Sequence, residues 1–167
     1  MAILAISGSL QARSSNSELI ARLRDLAPEG SVEIFDGYGE IPHFNPDIDG
    51  DVPHPMVERF RALVRAADVV VIATPEYAHG VPGSLKNALD WLVGSGELYD
   101  KPAIVLSAVP IVARAERARE QLAQTLRAQG AEVLAVVAVV NKGSAHDPVE
   151  VDVALSRVIE LAGRPPR

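Results

Sequence analysis

Short apolar runs alternate with amphipathic segments five times along the chain, and this alternation restricts the folds that the chain can adopt. The runs occupy residues 2–6, 32–35, 69–73, 103–106 and 133–140. They are rich in Val, Ile and Ala and show no strict apolar–polar alternation, so they predict strands that are covered on both faces. Strands that alternate with helices are joined by right-handed crossovers and pair in parallel.

The segments between the runs carry apolar residues at helical spacing. Ser15 and Glu18 predict a capping box at the start of the first helix, and Pro55 predicts the start of the second. Gly130 predicts the end of the fourth helix, and Gly163 that of the fifth. Five such units in 167 residues predict an α/β fold with three layers, a doubly wound five-stranded parallel sheet of strand order 2-1-3-4-5, as in flavodoxin-like proteins.

Composition narrows the class of protein. The net charge of −6 argues against a nucleic-acid partner, since such proteins present a basic surface. The absence of cysteine excludes disulfides, thiolate nucleophiles and cysteine-ligated metals. The first residues are too short an apolar run for a signal peptide, and no run approaches the roughly 18 residues of a membrane helix. We therefore expect a cytoplasmic protein with no membrane partner.

The segment after the first strand, residues 7–17, reads SGSLQARSSNS. Its hydroxyls, the Asn16 amide and the Arg13 guanidinium are all hydrogen-bond donors, and the following helix starts with unpaired backbone N–H groups at the positive end of its dipole. The pattern is neither a Walker A loop nor G-x-G-x-x-G. The serines either cap the helix or bind a phosphate, and their position after the first strand of a doubly wound sheet favours the phosphate.

The segment after the third strand, residues 74–83, reads TPEYAHGVPG. Its prolines and glycines fix the backbone path, Tyr77 offers an aromatic face, and the backbone groups can bind the edge of a flat heteroaromatic ring. Alternatively, Tyr77 packs on the core and His79 is a solvated loop residue. Trp91 belongs to the core or to a subunit interface, and Asn87 is a helix-surface or packing residue rather than a catalytic one. We find no constellation typical of acid–base or nucleophilic catalysis or of a metal site, and we predict no catalytic residue.

Three motifs carry a resemblance to a known family. They are GSLQARSSN at residues 8–16, PHFNPD at residues 42–47, and TPEYAHGVPGSLKNALDWL at residues 74–92. Together they resemble the NADPH-dependent FMN reductase family of flavodoxin-like enzymes, which includes flavin, quinone, azo-dye and chromate reductases. The resemblance is specific up to about Leu106.

This resemblance implies a single FMN-binding domain over residues 1–167. It implies FMN as cofactor, NADPH or NADH as electron donor, a small-molecule electron acceptor, and a homodimer or homotetramer. The alternatives are an FMN-binding electron carrier and a scaffold without flavin. The cofactor-binding residues that we predict are Ser9, Gln11, Arg13, Ser15, Asn16, Ser17, Pro75, Glu76, Tyr77, Ala78, His79, Gly80 and Ser107.

The chain departs from the family pattern at three places. Gln11 stands where the family has arginine, and we predict that Arg13 supplies the lost charge. Ala78 stands where the family has asparagine. The glycine-rich loop that follows the fourth strand in many members is replaced by residues 107–114, SAVPIVAR, and this apolar segment is expected to narrow or cover the ring site.

Overall fold

A computed structural model describes residues 1–50, 54–140 and 148–163. Its five strands form one parallel sheet of order β2-β1-β3-β4-β5, which confirms the predicted topology. The strands are β1 Ile3–Ser7, β2 Val32–Phe35, β3 Val69–Ala73, β4 Pro102–Val109 and β5 Glu132–Val140.

Five helices cover the two faces of the sheet. They are α1 Ser15–Leu26, α2 Pro55–Ala66, α3 Gly83–Asp90, α4 Glu116–Ala128 and α5 Pro148–Ala162. One apolar layer joins α1 and α5 to the sheet, and the other joins α2, α3 and α4 to the opposite face. All five residues of β3 are buried, as expected for a central strand that is covered on both sides.

Several strand ends are shifted by one residue from the predicted runs, and two further predictions about where elements begin and end are wrong. The predicted capping box is wrong, because Ser14 is the N-cap residue of α1, Ser15 is its first helical residue, and the Ser14 side chain makes no capping hydrogen bond. The predicted end of the fourth strand near Leu106 is also wrong. β4 continues to Val109 because Ser107, Ala108 and Val109 pair with the last residues of β5.

The long connection between β2 and α2 includes two short 3₁₀ turns, Gly37–Glu40 and Pro46–Ile48. Pro55 opens α2 as predicted, and the Nδ1 atom of His54 accepts a hydrogen bond from the Met56 N–H at 3.2 Å. Within the three described ranges, none of the helices has the length and apolar character needed to span a bilayer.

Candidate functional site

Three segments meet at the carboxyl edge of the sheet. We call residues 7–17 the serine turn, residues 74–83 the Pro75 loop, and residues 110–115 the rim segment. The Gly8 N–H donates to the Ala73 carbonyl at 2.7 Å. A Cβ atom on Gly8 would lie 2.8 Å from Leu85 Cδ2 and 3.2 Å from the Ala73 carbonyl oxygen, so the turn approaches β3 and α3 as closely as a glycine permits.

The serine turn is partly ordered by its own hydroxyl groups. Ser7 Oγ and Ser17 Oγ share a hydrogen bond of 2.8 Å. Ser9 Oγ accepts from the Gln11 N–H at 3.3 Å, and Ser9 is buried. These hydroxyls therefore shape the backbone of the turn and hold its start against α1.

The first turn of α1 presents unpaired backbone donors. Within the described residues, the N–H groups of Ser15, Asn16 and Ser17 have no hydrogen-bond acceptor, and Glu18 is the first to bond back, to the Ser14 carbonyl at 2.9 Å. Unpaired donors at the positive end of a helix are suited to an anion. The turn can therefore accept a phosphate without displacing a protein hydrogen bond.

Asn16 joins the serine turn to β4. Its side chain is buried, and Oδ1 accepts from the Ala108 N–H at 3.0 Å. This bond fixes the orientation of the amide, and its Nδ2 group makes no hydrogen bond in the part of the chain that the structure describes. By contrast, Gln11, Arg13 and Ser15 are exposed, and the structure shows no side-chain hydrogen bond from any of them.

The Pro75 loop contains a tight two-residue turn. Tyr77 and Gly80 exchange backbone hydrogen bonds of 3.0 and 2.9 Å, and the residues between them, Ala78 and His79, have φ angles of 48° and 65°. Left-handed backbone in two consecutive residues other than glycine is strained. The turn leaves Tyr77 53% exposed, so the alternative that Tyr77 packs on the core is wrong.

Glu76 and Gln121 fasten the Pro75 loop to α4. Glu76 Oε2 accepts from the Ala118 N–H at 3.1 Å, and Gln121 Oε1 accepts from the Val81 N–H at 2.8 Å. The Ala118 N–H, and then the His79 side chain 3.5 Å from Glu76 Oε1, lower the pKa of the Glu76 carboxyl. Sequence analysis missed Gln121, because no pattern pairs it with a residue 40 positions away.

Ser107 lies inside β4 rather than at the start of a loop. It is fully buried, and its hydroxyl donates to the Thr74 carbonyl at 2.6 Å. The side chain therefore bridges the ends of β4 and β3 and fixes the start of the Pro75 loop. Binding of a cofactor at Ser107 stays a prediction.

A cavity of about 220 Å³ lies beside the serine turn. Tyr38 lines it together with Ser9, Leu10 and Asp36. The Tyr38 side chain is 3% exposed, and its hydroxyl makes no hydrogen bond of normal length among the described residues, with the Ser84 side chain close enough to interact with it. Burial raises the pKa of this hydroxyl to about 12, so it is a donor at neutral pH. A buried hydroxyl without a partner usually marks a place where a ligand or water binds.

Asn87 on α3 and Trp91 directly after it hold the segment at residues 42–44 in place. Asn87 Oδ1 accepts from the Phe44 N–H at 2.8 Å, and its Nδ2 donates to the Pro42 carbonyl at 2.9 Å. Trp91 is fully buried, and its Nε1 donates to the same carbonyl at 2.9 Å. Of the two places considered for Trp91, the structure supports the core, and of the two roles considered for Asn87 it supports packing.

Comparison with known proteins identifies the family. The family model described as NADPH-dependent FMN reductase matches residues 1–145. The chain belongs to this family. The unpaired N–H groups of α1 and the buried Tyr38 hydroxyl fit FMN, because they would donate to a ligand that carries a phosphate and hydroxyl groups.

Relatives support this assignment over most of the chain. An NAD(P)H-dependent FMN reductase of Pseudomonas aeruginosa is 42% identical over 127 residues, which cover 74% of this chain and 68% of that protein. A quinone reductase of Pseudomonas putida is 36% identical over 113 residues, 65% of this chain and 60% of that protein. The match thus spans less than two thirds of the quinone reductase.

Among solved structures, the chain is similar to FerB, a flavoenzyme NAD(P)H:(acceptor) oxidoreductase from Paracoccus denitrificans. The TM-score is 0.79 at 26% identity, and the match covers 96% of both chains. An NADH:FMN oxidoreductase described as EMOB matches with a TM-score of 0.70 at 21% identity, covering 98% of this chain and 91% of that one, which supports the fold.

Proposed function

We propose that this protein is an FMN-dependent NAD(P)H oxidoreductase that reduces a small acceptor, with quinones as the acceptor class that the names of its relatives favour. The overall reaction would be NAD(P)H + H⁺ + quinone → NAD(P)⁺ + hydroquinone, a transfer of two electrons. The observation that carries the proposal is the row of unpaired N–H groups at Ser15–Ser17 beside the exposed Pro75 loop.

FMN, when bound, supplies the redox chemistry by taking a hydride from the nicotinamide and passing the electrons to the acceptor. The protein's part is placement and electrostatics. The first turn of α1 and Asn16 would hold the phosphate, and the Tyr38 hydroxyl would donate to the chain that joins phosphate and ring. Pro75, Glu76 and the turn of Ala78, His79 and Gly80 would border the ring, and the exposed Tyr77 would offer it an aromatic face.

The spectrum and anaerobic reduction of the purified protein test this proposal. We expect a yellow protein, or a colourless one that becomes yellow with FMN, whose flavin bleaches rapidly when NADPH or NADH is added without oxygen. Bound flavin that neither nucleotide reduces would instead support an electron carrier. A protein that cannot be reconstituted with FMN would support a scaffold without flavin.

The phosphate site can be tested separately by titrating FMN into variants of the serine turn. Arg13→Ala and Asn16→Ala should each weaken FMN binding by about tenfold or more, since a charge-assisted hydrogen bond contributes about 1.5–3 kcal/mol. Arg24→Ala is the matched control, because Arg24 pairs with Asp25 in the last turn of α1. Unchanged affinity in Arg13→Ala would remove the proposed compensation for Gln11.

We further infer a homodimer or homotetramer in the cytoplasm. The acidic, cysteine-free composition supports the location, and Trp91 is not available as a contact because it is buried within one chain. Light scattering after size-exclusion chromatography should give a mass of two or four chains, and cell fractionation should recover the protein with the cytosol. A monomer at micromolar concentration, or recovery with another fraction, would contradict the corresponding inference.

A further inference from the structure

We propose that Arg119 is a positioning residue that fixes the rim segment, and that Ile111 and Val112 on this segment form an apolar rim that selects neutral aromatic acceptors over anionic ones. This inference rests on the proposed function, because it names the acceptor class of the same site.

The rim segment borders the proposed ring site. It follows β4, whose neighbour β3 leads into the Pro75 loop. The Ser107 hydroxyl and the Thr74 carbonyl join the two strand ends at 2.6 Å. The rim segment then leads into α4, which holds Glu76 through the Ala118 N–H. An acceptor that reaches a ring on the Pro75 loop therefore comes close to the rim segment.

Two large apolar side chains of the rim segment face solvent. Ile111 is 57% exposed and Val112 is 63% exposed. Contiguous exposed apolar surface marks binding sites more often than single exposed apolar residues do, and these two residues are adjacent.

Arg119 holds the backbone of this segment from inside. Arg119 is only 6% exposed. Its guanidinium donates from Nη1 to the Arg114 carbonyl at 2.7 Å and from Nη2 to the Val112 carbonyl at 3.0 Å. The Arg114 N–H closes the turn by donating to the Ile111 carbonyl at 3.0 Å. The guanidinium thus bonds to two carbonyl oxygens of the rim segment, while the side chains of Ile111 and Val112 remain exposed to solvent.

The chemistry of this contact requires arginine. A buried guanidinium costs free energy unless its donors are paired, and here two carbonyl oxygens pair two of its five N–H groups. Lysine has a point charge instead of a planar fork and cannot hold two carbonyls in the same geometry. The arrangement therefore fixes the rim segment in one conformation, which reduces the entropy that an acceptor would lose by ordering it.

Charges near the rim make the acceptor class testable. The carboxylates of Glu76 and Glu116 disfavour an anion, whereas Arg119 behind the rim and the exposed Arg114 and Arg117 favour one. A neutral aromatic ring gains from covering Ile111 and Val112 and is indifferent to the sign of these charges. We therefore expect the acceptor to be a neutral aromatic ring.

The test compares a neutral with an anionic acceptor in the holoenzyme. Steady-state kcat/KM is measured with menadione and with ferricyanide, using the same nicotinamide donor. The double variant Ile111→Ser/Val112→Ser should lower the ratio of the two kcat/KM values by about tenfold through the KM for menadione, since it removes apolar area that menadione would cover. The control is Val153→Ser, which changes an exposed valine on α5 in the opposite layer and should keep the ratio.

A binding measurement gives a readout that does not depend on turnover. Calorimetric titration of the oxidised holoenzyme with 2-naphthol, a neutral aromatic compound that cannot accept electrons, should show about tenfold weaker binding in the double variant. Unchanged affinity together with an unchanged ratio would overturn the apolar rim. So would an equal loss of activity with both acceptors.

Variants of Arg119 test its positioning role. Arg119→Lys and Arg119→Met should both speed hydrogen exchange at the Arg114 N–H, which is bonded to the Ile111 carbonyl, by about tenfold or more, with exchange in the sheet unchanged, and both should lower the ratio of the two kcat/KM values. If Arg119→Lys kept the wild-type exchange rate and the wild-type ratio of the two kcat/KM values, a positive charge alone would suffice. That result would contradict the role of the planar guanidinium.

The same samples separate this inference from the proposed function. A wild-type protein that binds no FMN, or whose flavin no nicotinamide reduces, would defeat the proposed function. A wild-type protein that passes both tests but whose acceptor ratio does not respond to changes at residues 111, 112 and 119 would defeat the apolar rim alone.

Discussion

Ala78 occupies a backbone conformation that suits glycine or asparagine better. Its φ angle is 48°, and Tyr77 and Gly80 on either side of the turn lock the turn with two hydrogen bonds. We predict that Ala78→Gly raises the free energy of unfolding by about 0.5–1 kcal/mol, because it relieves the left-handed strain by more than it adds to the entropy of the unfolded chain. Urea unfolding of the two proteins measures the difference.

The control for Ala78→Gly is the same substitution in right-handed backbone. Ala128 is exposed in the last turn of α4, and Ala128→Gly should lower the free energy of unfolding by about 0.5–1 kcal/mol. Changes of the same sign in both variants would contradict the assignment of strain to Ala78.

Glu76 should make the free energy of unfolding depend on pH in the acidic range. Its folded pKa lies below the ordinary value of 4.5, chiefly because the Ala118 N–H donates to the carboxylate. The stabilisation is therefore complete above the unfolded pKa and is lost as the pH falls through the folded pKa. We predict that Glu76→Gln flattens the decline of the melting temperature between about pH 5 and pH 3. Thermal unfolding across this range measures it.

Glu120→Gln is the control for Glu76→Gln, because it removes a carboxylate from an exposed position on α4. It should keep the wild-type decline of the melting temperature. A Glu76→Gln variant whose decline matches that of the wild type would show that the Ala118 bond contributes no pH-dependent stability.

Among the elements, α3 and the long β2–α2 connection depend on each other. Asn87 provides both an acceptor for the Phe44 N–H and a donor for the Pro42 carbonyl. Asn87→Ala should lower the free energy of unfolding by about 1–3 kcal/mol, because it leaves the Phe44 N–H without its partner and the Pro42 carbonyl with Trp91 Nε1 as its remaining donor. It should also speed hydrogen exchange near Phe44, which mass spectrometry can localise.

Lys86→Ala is the control for Asn87→Ala, since Lys86 lies in the same helix and pairs with Asp90 at 2.5 Å on the exposed side. An exposed pair of this kind contributes about 0.3–0.5 kcal/mol. If both variants lost similar stability, the bonds of Asn87 to the connection would not be the cause.

The elements could be predicted from the sequence to the extent that local patterns determine them. Buried strands and amphipathic helices leave periodic signals, and so the order 2-1-3-4-5 was predictable. The end of β4 was not, because Val109 stays in the sheet by pairing with β5. The partners of Arg119 and Gln121 were not predictable either, since each of them depends on how a loop folds back over α4. The motifs indicated which loops form the site, and tertiary packing decides how each side chain is used there.

Across the whole molecule, the candidate site exists because three crossovers return to one edge of the sheet. Asn16 links the first crossover to β4, Ser107 links β4 to the end of β3, and Glu76 links the loop after β3 to α4. Each link joins segments more than 30 residues apart, so the site is assembled only when the sheet is complete. Ligand binding there should therefore stabilise the fold as a unit.

This coupling leads to a prediction about FMN and riboflavin, which share a ring and differ by the phosphate. FMN at 100 times its Kd should stabilise flavin-free protein by about 2.7 kcal/mol, which for a chain of this size raises the melting temperature by roughly 5–10 °C. Riboflavin at the same concentration should raise it far less, because the unpaired N–H groups of Asn16 and Ser17 would gain no anion. Scanning calorimetry measures both shifts. Asn16→Ala should reduce the FMN shift and leave the riboflavin shift nearly unchanged, whereas equal shifts for the two ligands in the wild-type protein would mean that the Pro75 loop, and not the serine turn, anchors the cofactor.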